Sequence, residues 1–321
     1  MTQDAESEMQ TFIKSHMRPL ALCAIIVLTL VGGMDIAQAQ QKFASPDEAV
    51  TALVAAARAN NDRDVVRILG DRELVFSGDP VADGQRRQAF LLAYDARHQL
   101  NKQGDSKAEL VIGPNDWPFP IPLVEKNGSW WFDTASGREE VLYRRIGRNE
   151  LAAIQVALAY VDAQNDYASM NPTGGKVDSY AQRFFSTPGK KDGLYWPSAA
   201  NEPRSPLGET VVLATAEGYR FGEGQIPYHG YYYRILKSQG PNAPGGAVNY
   251  VVNGNMIGGF ALVAYPAEYG NSGVMTFLVN NAGVVFQKDL GPKTSRIASR
   301  MTAFNPDHTW RKVSAEDLAV R

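Results

Sequence analysis

Apolar and polar residues alternate along this chain at two different periods, and the positions where the period changes divide it. The first apolar block has neither period. Leu20 to Val31 carries no charge, follows Arg18, closes on Gly32-Gly33 and precedes Ala37-Gln38-Ala39. A basic lead, an apolar centre of about a dozen residues and a small-x-small end are the parts of a secretory leader. The run falls short of the roughly 20 apolar residues that a membrane span needs. The pattern therefore predicts a cleaved signal over residues 1–39, cut after Ala39, with translation starting at Met1, Met9 or Met17.

Helical spacing begins at Ser45. Ser45 and Glu48 form a capping box around Pro46, and Val50, Leu53, Val54 and Ala57 then recur on one face. A short helix follows from Asp62 or Asp64 to Leu69, stopped by Gly70. Glu73 to Ser77 reads as an extended edge before the turn Gly78-Asp79-Pro80, and a third helix is predicted from about Gln85 to Leu100. The period then drops to two. Glu109–Ile112, Phe119–Val124 and Trp130–Phe132 read as strands, with Asn127-Gly128 as a hairpin turn.

The 3.6 period returns at Thr134. Leu151, Ile154, Leu158 and Val161 share a face in a long helix reaching about Met170, with Gly147 as a point of interruption. The stretch from Asn171 to Pro206 is rich in Pro and Gly, with a helical turn expected at Tyr180–Phe185. So long a stretch with little periodicity is typical of a functional or covering loop. From Val211 onward the chain reads as strands. Tyr228–Leu236, Tyr250–Val252, Gly258–Tyr265, Met275–Val279 and Val284–Lys288 are spaced as an antiparallel meander, followed by a short helix at Thr294–Met301. The whole predicts an α+β fold in two parts. Residues 40–135 would pack helices on a small antiparallel sheet, and residues 136–321 would join the long helix, the crossing and the meander.

Charge narrows the function classes. The full chain has 32 basic and 34 acidic residues, and removal of residues 1–39 leaves 30 of each. That balance argues against nucleic-acid binding, which draws on excess Lys and Arg. The only cysteine, Cys23, lies in the leader, so the processed chain has no thiol chemistry and no disulfide. No later apolar run spans a bilayer. Acidic pairs such as Asp62/Asp64, Asp79/Asp83 and Glu139/Glu140 fit caps and turns, so neither a metal nor a cofactor is expected. Gly270-Asn271-Ser272-Gly273-Val274 lacks the last glycine of an esterase elbow, and no catalytic motif is recognisable.

Five residues stand out as candidates for binding. Asp116 and Trp117 lie in an aromatic-proline loop, and Trp196 precedes Pro197 in the crossing. Such stiff aromatic surfaces suit recognition of a peptide or glycan, and equally a rigid lid on the sheet. His229 and Tyr231 belong to a Tyr-rich segment, which as a regular strand would place them on one face with Tyr233. That face either lines a ligand cleft or stacks aromatics across the meander. The expectation is a cleft where the Asp116–Pro122 loop, the 171–206 crossing and the His229 strand converge. A hydrolase using His229 with Asp116 or another carboxylate is the enzymatic alternative.

Several blocks in one order carry a resemblance: Asn115-Asp116-Trp117-Pro118-Phe119-Pro120-Ile121-Pro122, Trp131-Phe132-Asp133-Thr134, Arg144-Arg145-Ile146-Gly147-Arg148-Asn149-Glu150-Leu151, Gly193-Leu194-Tyr195-Trp196-Pro197 and Pro227-Tyr228-His229-Gly230. In these the chain resembles DUF2950, a family of exported bacterial proteins of unknown function. The resemblance implies export to the periplasm or medium and brings no activity with it. The C-terminal half also looks like the globular part of type IV pilins and pseudopilins, though the apolar segment is not continuous with the long helix as in a pilin. The chain thus reads as a periplasmic or secreted protein of the bacterial envelope that binds an envelope protein, a peptide or a glycan. A pilus- or secretion-associated accessory is the further alternative.

Overall fold

A computed structural model describes residues 40–199, 201–220 and 226–314. The leader and Cys23 lie outside the described residues. The first helix, α1 (Pro46–Arg58), starts where its capping box demands. The Ser45 hydroxyl accepts the Glu48 amide, and the Glu48 carboxylate accepts the Ala44 amide. α2 (Asp62–Leu69) ends at Gly70, whose φ of +79° is the left-handed closure glycine tolerates best. Between Gly70 and Gly78 the chain differs from the extended edge expected there. Asp71 accepts the amides of Glu73 and Leu74 and winds a single helical turn, α3 (Arg72–Val75).

α4 (Pro80–Ala96) is capped by Asp79 and stops a turn earlier than its periodicity suggested. The residues beyond it, His98–Lys102, form strand β1 instead, paired antiparallel with β2 (Lys107–Ile112). Leu100 faces Leu110 in that register, and the Gly113 amide, at the end of β2, is tied to the carbonyls of Ala93 and Arg97. Pairing with β2 therefore outweighs helix continuation. β3 (Trp117–Pro118) also pairs with β2, and β4 (Leu123–Lys126) and β5 (Ser129–Phe132) complete the sheet in the order β1-β2-β4-β5. Asn127 and Gly128 both have positive φ, the requirement of a type I′ hairpin.

The long helix α5 (Thr134–Met170) runs 37 residues and passes through Gly147 unbroken. The crossing that follows is held by side chains in place of regular structure. Gln164 bonds both the amide and the carbonyl of Ala181, and Tyr180 bridges to Met256, so no helical turn forms at 180–185. α6 (Gly208–Ala216) stands where strands were expected from Val211. Val211 and Ala214, three apart, are buried while Val212 and Leu213 are exposed, a helical arrangement that a short β-branched run does not announce. The meander then runs β6 (Tyr231–Leu236), β7 (Ala261–Pro266), β8 (Met275–Asn280), β9 (Phe286–Asp289) and β10 (Arg311–Lys312). Each strand pairs antiparallel with the next in sequence, and a short helix α7 (Thr294–Ala298) intervenes before β10.

The fold is thus α+β, with two hydrophobic clusters. The first joins α1, α2 and the inner face of the N-terminal sheet around Leu53, Ile68, Leu110 and Phe132. The second places Ile154, Ala157, Tyr160 and Val161 of α5 against Phe260, Leu262 and Phe277 of the meander. α5 belongs to both, because Val141 and Leu142 near its start pack on the first cluster. Among the described residues no helix is long and apolar enough to cross a membrane.

Candidate functional site

Between the two clusters α5 carries the polar run Arg144 to Glu150, and helical geometry sends alternate members to different tasks. Arg145 and Asn149, four apart, point to α3 and to the turn at Asn271-Ser272 in the C-terminal half. Arg145 is only 4% exposed; its guanidinium donates to the Glu73 and Leu74 carbonyls and to Asn271 Oδ1. Asn149 Nδ2 donates to the Ser272 carbonyl at 2.8 Å. One oxygen of Glu150 accepts the amides of Val274 and Met275, each at 2.9 Å. Asn271 in turn donates to the Phe76 carbonyl and to Glu268.

Arg144 and Arg148, on the adjacent stripe, face a cavity of about 590 Å³ on the N-terminal side. That volume lies within the usual range for small-molecule sites. Its floor is buried and apolar: Leu53 and Ala57 from α1, Val65 and Leu69 from α2, Ile112 from β2 and Ile121 from the segment before β4. Each helical pair is spaced i, i+4, so one stripe per helix turns inward. Phe90 of α4 and Phe119 form an aromatic wall, ring centroids 5.5 Å apart. The charged part of the lining is mostly basic. Arg86 and Arg87 come from α4, Arg144, Arg145 and Arg148 from α5, and Asp83 is the single acid in the lining.

Three of these five cations have acidic partners. Arg86 pairs with Asp83, Arg87 with Asp62, and Arg144 with Glu140 while lying 5.0 Å from the centre of the Trp117 ring. Arg145 is held by neutral acceptors and its buried Nε has no hydrogen-bond partner. Arg148 has neither an ion pair nor a hydrogen bond among the described residues. Burial, then the Arg86 charge, brings the Arg145 guanidinium down to about 10 and lowers Arg148 as well; Arg145 thus stays charged at neutral pH. The site therefore joins an apolar interior to a lining with an excess of positive charge.

A second polar cluster sits around Asp79, which is wholly buried. Its carboxylate accepts the Ala82 amide at the head of α4, the Tyr219 hydroxyl and the Gly230 amide, at 3.0, 2.9 and 2.9 Å. This holds the turn Tyr228–Tyr231, in which His229 and Gly230 have φ of +50° and +75°. His229 is consequently off the strand, and the regular alternation that aligned it with Tyr231 and Tyr233 does not hold. Its Nε2 lies 3.8 Å from Glu217, beyond hydrogen-bond reach, and its ring packs on Tyr219 and Tyr228. Burial lowers the imidazole below its ordinary value, against the pull of Glu217 and Asp79.

The residues singled out by sequence fall in different places. Trp117 is at the cavity mouth, 42% exposed, and its neighbour Asp116 turns away at φ +50° to pair with Arg97 at 3.2 Å. Trp196 is buried in the C-terminal cluster against Tyr167, with Lys191 5.7 Å from its ring. Tyr231 is wholly buried and donates to the Met275 carbonyl. The cavity that Trp117 lines contains neither Trp196 nor His229. The arginine mouth was not singled out from sequence. Its trace there is the spacing Arg144-Arg145-x-x-Arg148, which puts three cations on neighbouring stripes of one helix.

A family model described as "Protein of unknown function (DUF2950)" matches residues 40–313, and the chain belongs to that family. No curated protein and no solved structure matches it.

Proposed function

We propose that this DUF2950 protein is a binding protein of the bacterial envelope that holds an elongated small molecule in the cavity between α1, α4, the N-terminal sheet and α5. The observation that carries the reading is the cavity: about 590 Å³, apolar at its floor and open past Trp117. An apolar space of that size left to water forgoes both burial and dispersion contacts, and a ligand with an apolar body recovers them. The leader-like pattern at residues 17–39 supports the location, and an exported product beginning at Gln40 is its test by N-terminal sequencing.

The binding test uses N-phenyl-1-naphthylamine, a neutral apolar fluorophore, titrated into the purified chain. Saturable enhancement at one equivalent is expected. Ala89, exposed on α4 and lining the cavity, is replaced by Trp to fill the entrance without touching the floor. Ala89→Trp should weaken the probe about tenfold, the scale of one to two lost methylene contacts. Non-saturable binding, or identical binding by Ala89→Trp, would overturn the assignment of the cavity.

A further inference from the structure

We infer that the molecule held in this cavity carries an oxyanion head, a carboxylate or phosphate monoester, which docks at Arg148 beside Arg145 and Arg86, with its apolar body on the Leu53–Ile121 floor. The inference rests on the binding role proposed above and specifies its ligand class.

The first support is the charge balance. Five guanidinium groups line the cavity against one carboxylate, Asp83, and that carboxylate is already engaged by Arg86 and by the Ser77 amide and hydroxyl. Arg87 and Arg144 are also paired, the carboxylates near Arg145, Asp83 and Glu268, are taken up by Arg86 and Asn271, and Arg148 has no ion pair among the described residues. Like charges crowded around one cavity repel, and the cations here outnumber the carboxylates that face them.

The second support is geometric and independent of the count. Arg145 is almost fully buried and lines the cavity, yet its Nε lacks a partner; so does the buried Nη1 of Arg144. Buried donors of this kind are normally satisfied. Guanidinium groups present forked donors that fit the two oxygens of a carboxylate or the oxygens of a phosphate. The Trp117 ring against Arg144 further fixes that part of the rim. A neutral head would leave the excess charge where it is, and a cationic head would add to it.

The test compares dodecanoate, dodecyl phosphate and dodecanol, all below their micelle concentrations, by calorimetry or displacement of the naphthylamine probe. Wild-type protein should bind at least one of the anions about tenfold or more tightly than the alcohol, as one charge-assisted hydrogen-bonded contact implies; the tighter anion identifies the head. In Arg148→Gln, a substitution at an exposed position, that preference should shrink to within about threefold. Equal binding of all three by the wild type would refute the oxyanion head and leave the cavity reading standing. No binding of any of them, with no probe binding, would remove both. A preference for anions undiminished in Arg148→Gln would refute the placement of the head at Arg148.

Discussion

Removing the Asp79 carboxylate gives the sharpest test of how the two halves are joined. Asp79 is fully buried, and its two oxygens serve three donors from three parts of the chain: the α4 amide of Ala82, the hydroxyl of Tyr219 and the amide of Gly230. Loss of a side-chain cap costs about 1 kcal/mol. Each of the other two is a buried hydrogen bond to a charged acceptor, worth about 1.5–3 kcal/mol, and the donor left behind stays out of water. Against this, the variant no longer has to desolvate a charge, which returns part of the loss. For Asp79→Ala the net loss is then about 3–5 kcal/mol, a large share of the 5–15 kcal/mol typical of a folded protein. Tyr219→Phe should cost about 1.5–3 kcal/mol, since it removes one donor and also leaves the His229 amide without its acceptor at 3.3 Å. Because both changes delete the same contact, the double variant should lose clearly less than the sum. Urea unfolding followed by circular dichroism, with linear extrapolation, measures all three. A loss below about 1 kcal/mol for Asp79→Ala, or strict additivity in the double variant, would refute the assignment of Asp79 as a shared buried acceptor.

Two glycines of α5 should respond in opposite senses to Ala. At Gly147 an added Cβ meets nothing within 4 Å, so Gly147→Ala should stabilise by about 1 kcal/mol through helix propensity alone. At Gly137 the same atom would lie 2.6 Å from the Pro120 carbonyl oxygen and 2.8 Å from Ile121, so Gly137→Ala should destabilise despite the same propensity gain. Equal shifts in urea midpoint would show that α5 does not press on the 120–121 segment. The pH profile of stability reports on His229, which burial holds below its ordinary value. As pH falls from about 7 to 5, the unfolded chain takes up this proton before the folded one, so the His229 contribution is complete above the ordinary histidine range and declines below it. His229→Asn suits the left-handed backbone at this position and should flatten that part of the profile; superimposable wild-type and variant profiles would contradict the burial argument.

What the sequence determined by itself is the set of structures whose causes lie within a few residues. The Ser45–Glu48 box starts α1, Gly70 ends α2, and Asn127-Gly128 turns the hairpin, because each acts on backbone groups in its own neighbourhood. The apolar stripe from Ile154 to Val161 likewise marks a helix face that the meander then covers. β1 was illegible because His98–Lys102 holds one apolar residue, Leu100, and becomes a strand only by pairing with β2. The Tyr228–Tyr231 segment has strand composition, but the buried carboxylate of Asp79, distant in sequence, accepts the Gly230 amide and bends it into a turn that takes His229 off the strand. The cavity is the fullest case. Leu53, Ile121 and Arg148 are unremarkable singly, and only packing of α1, the sheet and α5 sets an apolar floor beneath a cluster of arginines. Local periodicity specifies which face of an element is apolar; which faces meet, and which charges are left unmatched where they do, is decided by tertiary packing.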